Sequence, residues 1–121
     1  MKKLVIIDDE EQIISVLERF LLKKGIMEID TFTNAKLAMP KILAGNYDLV
    51  LLDIMMPEVN GLEMLAEIKK ANPSQKVIMM TAYSTEEKIM KSDTVGANDY
   101  ITKPFISLRD VENKVLDHLG V

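Results

Sequence analysis

The sequence predicts an α/β fold of three layers, in which a parallel five-stranded sheet lies between two layers of helices. Short β-branched apolar runs alternate five times with longer stretches of helical periodicity, and this alternation is typical of strands joined by crossover helices. Two of the runs, Leu49 to Leu52 and Val77 to Met80, are apolar at every position. Such runs indicate strands that are buried on both faces, so we place these two near the centre of the sheet.

The predicted strands are Lys3–Ile7, Glu28–Phe32, Leu49–Asp53, Val77–Met80 and Asp99–Ile101. The predicted helices are Glu11–Lys23, Asn34–Ala44, Gly61–Ala71, Thr85–Thr94 and Ser107–Leu119. The first helix stops before Gly25, the third stops before Pro73, and the fifth begins on Ser107, a residue that caps helices well. The second helix contains Pro40, which costs about 3 kcal/mol inside a helix, so we expect this helix to be kinked and weak. The fourth is poorly amphipathic.

The composition is that of an ordinary globular domain, and it argues against several classes of function. The 121 residues are 48% hydrophobic and 28% charged, which predicts a single domain over residues 1–121. A net charge of -4 argues against direct binding of nucleic acid through its phosphates. The sequence has no cysteine and no apolar run long enough for a signal peptide or a membrane span. We therefore expect a cytoplasmic protein without a membrane partner.

Polar residues stand where four of the five predicted strands end. Asp8 and Asp9 follow the first strand, Asp53 ends the third, Thr81 follows the fourth, and Lys103 follows the fifth. Ligand sites of parallel sheets form at this carboxyl edge, so we expect these side chains to lie close together. Each has a simpler explanation when taken alone, since paired aspartates often cap helices and a lysine is usually a solvated surface charge. Their coincidence at one edge favours a shared site.

The grouping of charges predicts what such a site would hold. Carboxylates 4 Å apart repel by about 4 kcal/mol per pair at an effective dielectric constant near 20, so a cation is needed. Oxygen ligands suit Mg²⁺, for which Mn²⁺ can substitute, and Mg²⁺ commonly binds phosphate oxygens as well. Lys103 and the Thr81 hydroxyl can hold phosphoryl oxygens, and Asp53 is then left as a carboxylate nucleophile.

In their order and spacing, these residues resemble the receiver domain of two-component response regulators over essentially the whole chain. The resemblance is carried by Asp8-Asp9, Leu51-Leu52-Asp53-Ile54-Met55-Met56-Pro57, Asn60-Gly61, Thr81-Ala82 and Tyr100-Ile101-Thr102-Lys103-Pro104-Phe105. It implies a CheY-like, flavodoxin-like sheet with strand order 2-1-3-4-5. It also implies transfer of a phosphoryl group from a phosphohistidine of a sensor histidine kinase, or of a phosphotransfer protein, to Asp53. The domain would then catalyse only its own phosphorylation and dephosphorylation.

The resemblance also assigns roles at the site. The implied metal ligands are Asp8 (through water), Asp9, Asp53 and the backbone carbonyl of Met55. The implied phosphate ligands are Thr81, the backbone N–H of Ala82, and Lys103. Phosphorylation would pull Thr81 inward and let Tyr100 rotate, which changes the face formed by the fourth helix, the fifth strand and the fifth helix. Lys103-Pro104 resembles the family's cis peptide.

Two further expectations follow from particular side chains. In the family, the residues two past the acceptor and two past the threonine control how long the phosphoryl group lasts, and here they are Met55 and Tyr83. Neither side chain activates water, so we predict slow self-hydrolysis. Asn98 and Asn113 replace charged residues that relatives use for dimerisation, which argues against that dimer. His118 is predicted to be a surface residue without a catalytic role.

Two other functions stay open on the sequence alone. A phosphatase of the haloacid dehalogenase type also combines an aspartate nucleophile, Mg²⁺, a threonine and a lysine, but it needs Asp-x-Asp after the first strand, where this chain has Asp8-Asp9-Glu10. A pseudo-receiver that only binds a partner would be expected to lack the acceptor or the lysine, and this chain has both. The sequence does not name the downstream output.

Overall fold

The computed structural model describes residues 1–57, 59–81, 96–105 and 107–121. Its elements are β1 (Lys2–Ile7), α1 (Glu11–Leu22), β2 (Met27–Phe32), α2 (Ala35–Leu43), β3 (Leu49–Asp53), β4 (Met55–Met56), β5 (Val59–Asn60), α3 (Gly61–Ala71), β6 (Lys76–Thr81), β7 (Asp99–Thr102) and α4 (Leu108–Leu119). The predicted helix over Thr85–Thr94 lies outside the described residues. Helix α4 is therefore the fifth helix predicted from the sequence, and Ser107 caps it by accepting a hydrogen bond from the Asp110 N–H.

The five long strands form one parallel sheet in the order β2-β1-β3-β6-β7. Counted as five strands, this is the predicted order 2-1-3-4-5, which is thus confirmed. The two wholly apolar runs form β3 and β6 in the interior of the sheet, as predicted. The ladders keep the strand ends level, since Ile7 pairs with Leu52 and Leu52 pairs with Met79. The carboxyl ends of β1, β3 and β6 consequently meet at one edge.

Alternate residues of the strands pack into two separate cores, one on each face of the sheet. Val5, Val50 and Val77 point to the face covered by α2 and α3. Their neighbours Leu4 and Leu49 point to the face covered by α1 and α4. Because successive strand residues face opposite sides, a strand in the middle of three layers must be apolar at every position. This requirement explains the uninterrupted apolar runs.

Helix α2 continues through Pro40, although its bounds are one residue shorter at each end than predicted. Asn34 and Ala44 are its caps, and the Asn34 side chain accepts a hydrogen bond from the Lys36 N–H. Proline has no N–H, so the carbonyl four residues earlier, at Lys36, loses its helical donor. The predicted weakness of this helix stays a prediction.

The sequence did not predict the short antiparallel hairpin of β4 and β5, in which Met55 pairs with Asn60 and Met56 with Val59. The sequence of this segment predicts a turn, because strands of two residues are too short to show a periodicity. This hairpin connects the end of β3 to the start of α3.

Lys69 links α3 to the segment before β7. Lys69 Nζ donates to Asn98 Oδ1 at 2.9 Å and to the Gln75 carbonyl, and Asn98 Oδ1 also accepts from the Val77 N–H. Burial lowers the pKa of Lys69. Within the described ranges, no carboxylate oxygen forms an ion pair with this ammonium group.

Replacing Asn98 by aspartate should therefore stabilise the fold. The carboxylate would accept the same two hydrogen bonds and would add an ion pair with Lys69, for a gain of about 0.5 kcal/mol in the free energy of unfolding. Urea unfolding of Asn98→Asp against the parent chain measures this gain. In a Lys69→Met background the same substitution should give no gain, and an equal gain in both backgrounds would contradict the ion-pair explanation.

Helix α4 is joined to β7 through Asp99. The carboxylate contacts His118 Nε2 at 3.0 Å and Lys114 Nζ at 3.3 Å. Burial raises the pKa of Asp99, but the Tyr100 N–H, His118 and Lys114 lower it more, so the net pKa lies below its ordinary value of 3.8. His118 was predicted to be a surface residue, and its half-exposed side chain also contacts Asp99, because the turn of α4 brings position 118 against the edge strand.

This arrangement predicts an acid-sensitive contribution to stability. Since the folded pKa of Asp99 is lowered, its contribution is complete above pH 3.8 and is lost as the pH falls through the folded pKa. The difference in the free energy of unfolding between the parent chain and Asp99→Asn should thus be larger near pH 5 than near pH 3. Urea titrations at both values test this, and an equal difference at both would contradict it.

Candidate functional site

Three polar side chains from different strands meet at the carboxyl edge of the sheet. Asp8 follows β1, Asp53 ends β3, and Lys103 follows β7, and all three are buried. Level strand ends place Asp8 beside Asp53, because the residues just before them, Ile7 and Leu52, are paired. The Lys103 N–H donates to the Thr81 carbonyl at 2.7 Å, which extends the β6–β7 ladder and fixes the lysine at the same edge.

The Lys103 ammonium group stands between the two buried carboxylates. Lys103 Nζ lies 2.5 Å from Asp8 Oδ2 and 3.1 Å from Asp53 Oδ2, and Glu10 Oε1 is 3.8 Å away. Burial lowers the pKa of Lys103, but hydrogen bonding and charge from Asp8 and Asp53 raise it more, so the net pKa lies above its ordinary value. The lysine is therefore a firmly charged group at neutral pH.

Burial and a neighbouring carboxylate disfavour the ionised form of Asp53. Burial and then the charge of Asp8 raise its pKa to about 6, against the opposing effects of Lys103 and of the Met55 N–H, which donates to Asp53 Oδ1 at 3.1 Å. The single ammonium group of Lys103 thus compensates two carboxylates only in part. A further cation beside these groups would favour their ionised forms.

The chemistry of the oxygen atoms fits a divalent cation. Asp8 Oδ2 is fully buried and, apart from its ion pair with Lys103, accepts no hydrogen bond from the described residues. Carboxylate oxygens of Asp8, Asp9 and Glu10 all lie within 4.8 Å of one another. A purely oxygen donor set with two exposed members suits Mg²⁺, which keeps several waters. The residues present therefore fit such an ion.

The structure brings together some of the residues predicted from the sequence and separates others. Asp8, Asp53 and Lys103 form one contact group, and Asp9 is exposed in the acidic cluster beside it. Thr81 is buried at the end of β6. The Lys103-Pro104 peptide bond is cis. Ala82 and Tyr83 lie outside the described residues.

Tyr100 lies on β7 and contacts both a core and α4. It is half-buried on β7 and packs against the core beneath α2 and α3. Its carbonyl accepts a hydrogen bond from Lys114 Nζ at 2.7 Å, which ties this strand to α4.

Sequence reasoning missed two contributors to the site. Glu10 contacts Lys103 and belongs to the acidic cluster, and the run Asp8-Asp9-Glu10 was the signal that could have found it. Gly61 was predicted as the start of a helix and as part of the Asn60-Gly61 motif, without a role at the site. A Cβ atom there would lie 2.4 Å from the Asp53 carbonyl oxygen and 2.7 Å from Ile54 Cα, so only glycine fits beneath the acceptor loop.

A parallel sheet with an acidic site at its carboxyl edge defines a doubly wound α/β protein, the class whose ligands bind at that edge. Residues 4–115 match the family model of the response regulator receiver domain. The solved structure of a CheY-like response regulator receiver domain protein from Methanospirillum hungatei JF-1 is similar, with a TM-score of 0.90 and 31% identity over 99% of this chain and 94% of that chain.

Two curated relatives extend the comparison. The chain is 35% identical over 103 residues to the transcriptional regulatory protein CusR of Escherichia coli (strain K12) and 36% identical over 105 residues to the response regulator SaeR of Staphylococcus aureus (strain USA300). These matches cover 85% and 87% of this chain but 45% of each relative, so the chain spans less than half of their length.

The chain belongs to the family of response regulator receiver domains. Receiver domains are the phosphoaccepting domains of two-component signalling, and response regulators act with histidine kinases. The family resemblance predicted from the sequence is thus confirmed. Among the helices that the structure describes, none has both the length and the apolar character that a membrane crossing requires.

Proposed function

We propose that Asp53 is the residue of this receiver domain that takes the phosphoryl group from a phosphohistidine of a sensor histidine kinase or phosphotransfer protein. The observation that carries the proposal is the sharing of one buried ammonium group, Lys103 Nζ, by Asp53 and Asp8. A carboxylate that ends a buried strand beside a fixed cation is placed to attack an anionic phosphorus group. Residues 1–121 would act as one receiver domain.

In the proposed step, a carboxylate oxygen of Asp53 attacks the phosphorus atom in line with the bond to the histidine nitrogen. The new P–O bond forms as the P–N bond breaks, and the imidazole nitrogen keeps the bonding electron pair and takes up a proton. Lys103 supplies a positive charge for the phosphoryl oxygens, and burial strengthens this interaction relative to water. Thr81 and the Ala82 N–H would hold the remaining oxygens. Catalysis by the domain would be limited to its own phosphorylation and dephosphorylation.

A divalent cation, Mg²⁺ or Mn²⁺, would be held by Asp9, Asp53 and the Met55 carbonyl, with Asp8 acting through water. When bound, it would neutralise charge on the transferred phosphoryl group. The buried oxygen of Asp8 and the oxygen cluster beside it support this assignment.

The phosphoryl group would also act as a switch. It would replace the carboxylate of Asp53 by a group with more negative charge and more acceptor oxygens, which draws Lys103 and Thr81 toward it. Tyr100 is half-buried on β7, the strand that ends just before Lys103 and is tied to α4 by Lys114. The face around β7 and α4 is therefore the surface expected to change. We place the protein in the cytoplasm, where kinases have access to ATP, and direct binding of nucleic acid by this domain is not part of the proposal.

Intact mass after incubation with acetyl phosphate tests the proposal. The parent chain should gain one phosphoryl group only when Mg²⁺ is present, and Asp53→Asn should gain none. Asp117→Asn, which changes an exposed carboxylate on α4, is the matched control and should behave like the parent. If the parent stays unmodified with both acetyl phosphate and phosphorylated kinase, a domain that only binds a partner becomes the better explanation.

A further inference from the structure

The described methionines are buried, partly buried in the case of Met39, or exposed. Five of them are at most 9% exposed, namely Met27, Met56, Met64, Met79 and Met80. Met55 is 52% exposed, and the only other exposed methionine of the described ranges is Met1 at the N-terminus. Oxidation of a thioether requires contact with the oxidant, so these exposures predict that Met55 reacts well before the buried methionines.

The exposed thioether belongs to the residue beside the acceptor. The Met55 N–H donates to Asp53 Oδ1 at 3.1 Å, so the backbone of this residue is fixed against the carboxylate. Its side chain lines an open cavity of about 610 Å³ together with Pro57, Val59 and Leu62. A small solute in this cavity therefore reaches the side chain of Met55, whose backbone contacts the acceptor carboxylate.

We propose that Met55 is a site of oxidation by hydroperoxides, and that its sulfoxide shortens the lifetime of the phosphoryl group on Asp53. The inference rests on the proposed function of Asp53. The Met55 sulfur attacks the outer oxygen of the peroxide, the S–O bond forms as the O–O bond breaks, and the proton of the transferred hydroxyl passes to the leaving oxygen. Sulfur is oxidised by two electrons, and hydrogen peroxide is reduced to water.

The chemical change at the sulfur explains the expected effect on lifetime. The thioether is apolar and a weak acceptor, so it neither holds nor orients a water molecule near Asp53. The sulfoxide oxygen is a strong acceptor on the same flexible side chain and can hold water beside the acyl phosphate. A neutral hydrogen-bond acceptor accelerates hydrolysis less than a positioned general base does. We therefore expect the decay of the phosphoryl group to accelerate on the order of tenfold.

The experiment begins with the parent chain and with Met55→Leu, which keeps an apolar side chain but has no sulfur. Each is treated with hydrogen peroxide until peptide mapping of the parent shows that Met55 is oxidised and the buried methionines are not. Each is then freed of peroxide and phosphorylated with acetyl phosphate. The decay of the adduct is followed by intact mass against an untreated sample of the same variant. Met1 is oxidised in both variants, so its effect cancels.

The proposal expects faster decay after oxidation in the parent, no change on oxidation in Met55→Leu, and recovery of the slow decay when methionine sulfoxide reductases restore Met55. Oxidation of buried methionines ahead of Met55, or an unchanged decay rate once Met55 sulfoxide has formed, would overturn it. Acceleration of equal size in Met55→Leu would also overturn it. Absence of any adduct on the untreated parent would instead overturn the proposed function, and this inference with it.

Discussion

Replacing Lys103 by methionine should lower the rate of phosphorylation by acetyl phosphate at least about 100-fold, the size of the loss when a preorganised charge stabiliser is removed. Methionine keeps most of the length of the side chain but removes the charge that Asp8 and Asp53 share. The rate of adduct formation by intact mass, at saturating Mg²⁺, is the measurement.

Binding of Mg²⁺ separates this effect from simple damage to the site. Lys103 competes with a metal ion for the same carboxylates, so Lys103→Met should bind Mg²⁺ at least as tightly as the parent in calorimetric titration. Lys36→Met changes an exposed lysine on α2 and should leave both measurements unchanged. Loss of phosphorylation together with loss of Mg²⁺ binding would show that the lysine holds the carboxylates in place and does not act on the phosphoryl group.

Replacing Gly61 by alanine should lower the free energy of unfolding by about 3 kcal/mol, at the upper end of the usual cost of overpacking. The added methyl group would lie 2.4 Å from the Asp53 carbonyl and 2.7 Å from Ile54 Cα, and both are backbone atoms that move only with the loop. The Gly61 N–H also donates to the Ile54 carbonyl at 3.0 Å, which would be strained by the same displacement. Urea unfolding measures the loss.

Gly25→Ala is the matched control, because its added methyl group meets nothing within 4 Å. Its cost should be limited to the left-handed backbone conformation at φ +65, roughly 1 kcal/mol. Phosphorylation of folded Gly61→Ala should also be slowed, since the strain falls on the acceptor residue itself. Equal losses of stability in the two variants would show that close contact with the Asp53 carbonyl does not explain the need for glycine at position 61.

Most of the fold could be predicted because its causes are local or periodic. Uninterrupted apolar runs mark strands buried on both faces, and Ser107 marks the start of a helix through its capping side chain. The β4–β5 hairpin could not be predicted, because two-residue strands carry no periodicity. The partner of His118 was missed for a different reason, since its contact with Asp99 joins residues on separate elements.

The candidate site also has a part that the sequence predicts and a part that only the structure shows. The sequence by itself determined which residue types stand at the carboxyl ends of the strands, because the ends are visible where apolar runs stop at Asp8, Asp53 and Thr81. Only the tertiary structure decided that one ammonium group of Lys103 serves two buried carboxylates, that Glu10 joins them, and that Gly61 lies under the acceptor. Distances between residues far apart in sequence depend on how the strands align and how closely backbones approach, and no local pattern of residues carries that information.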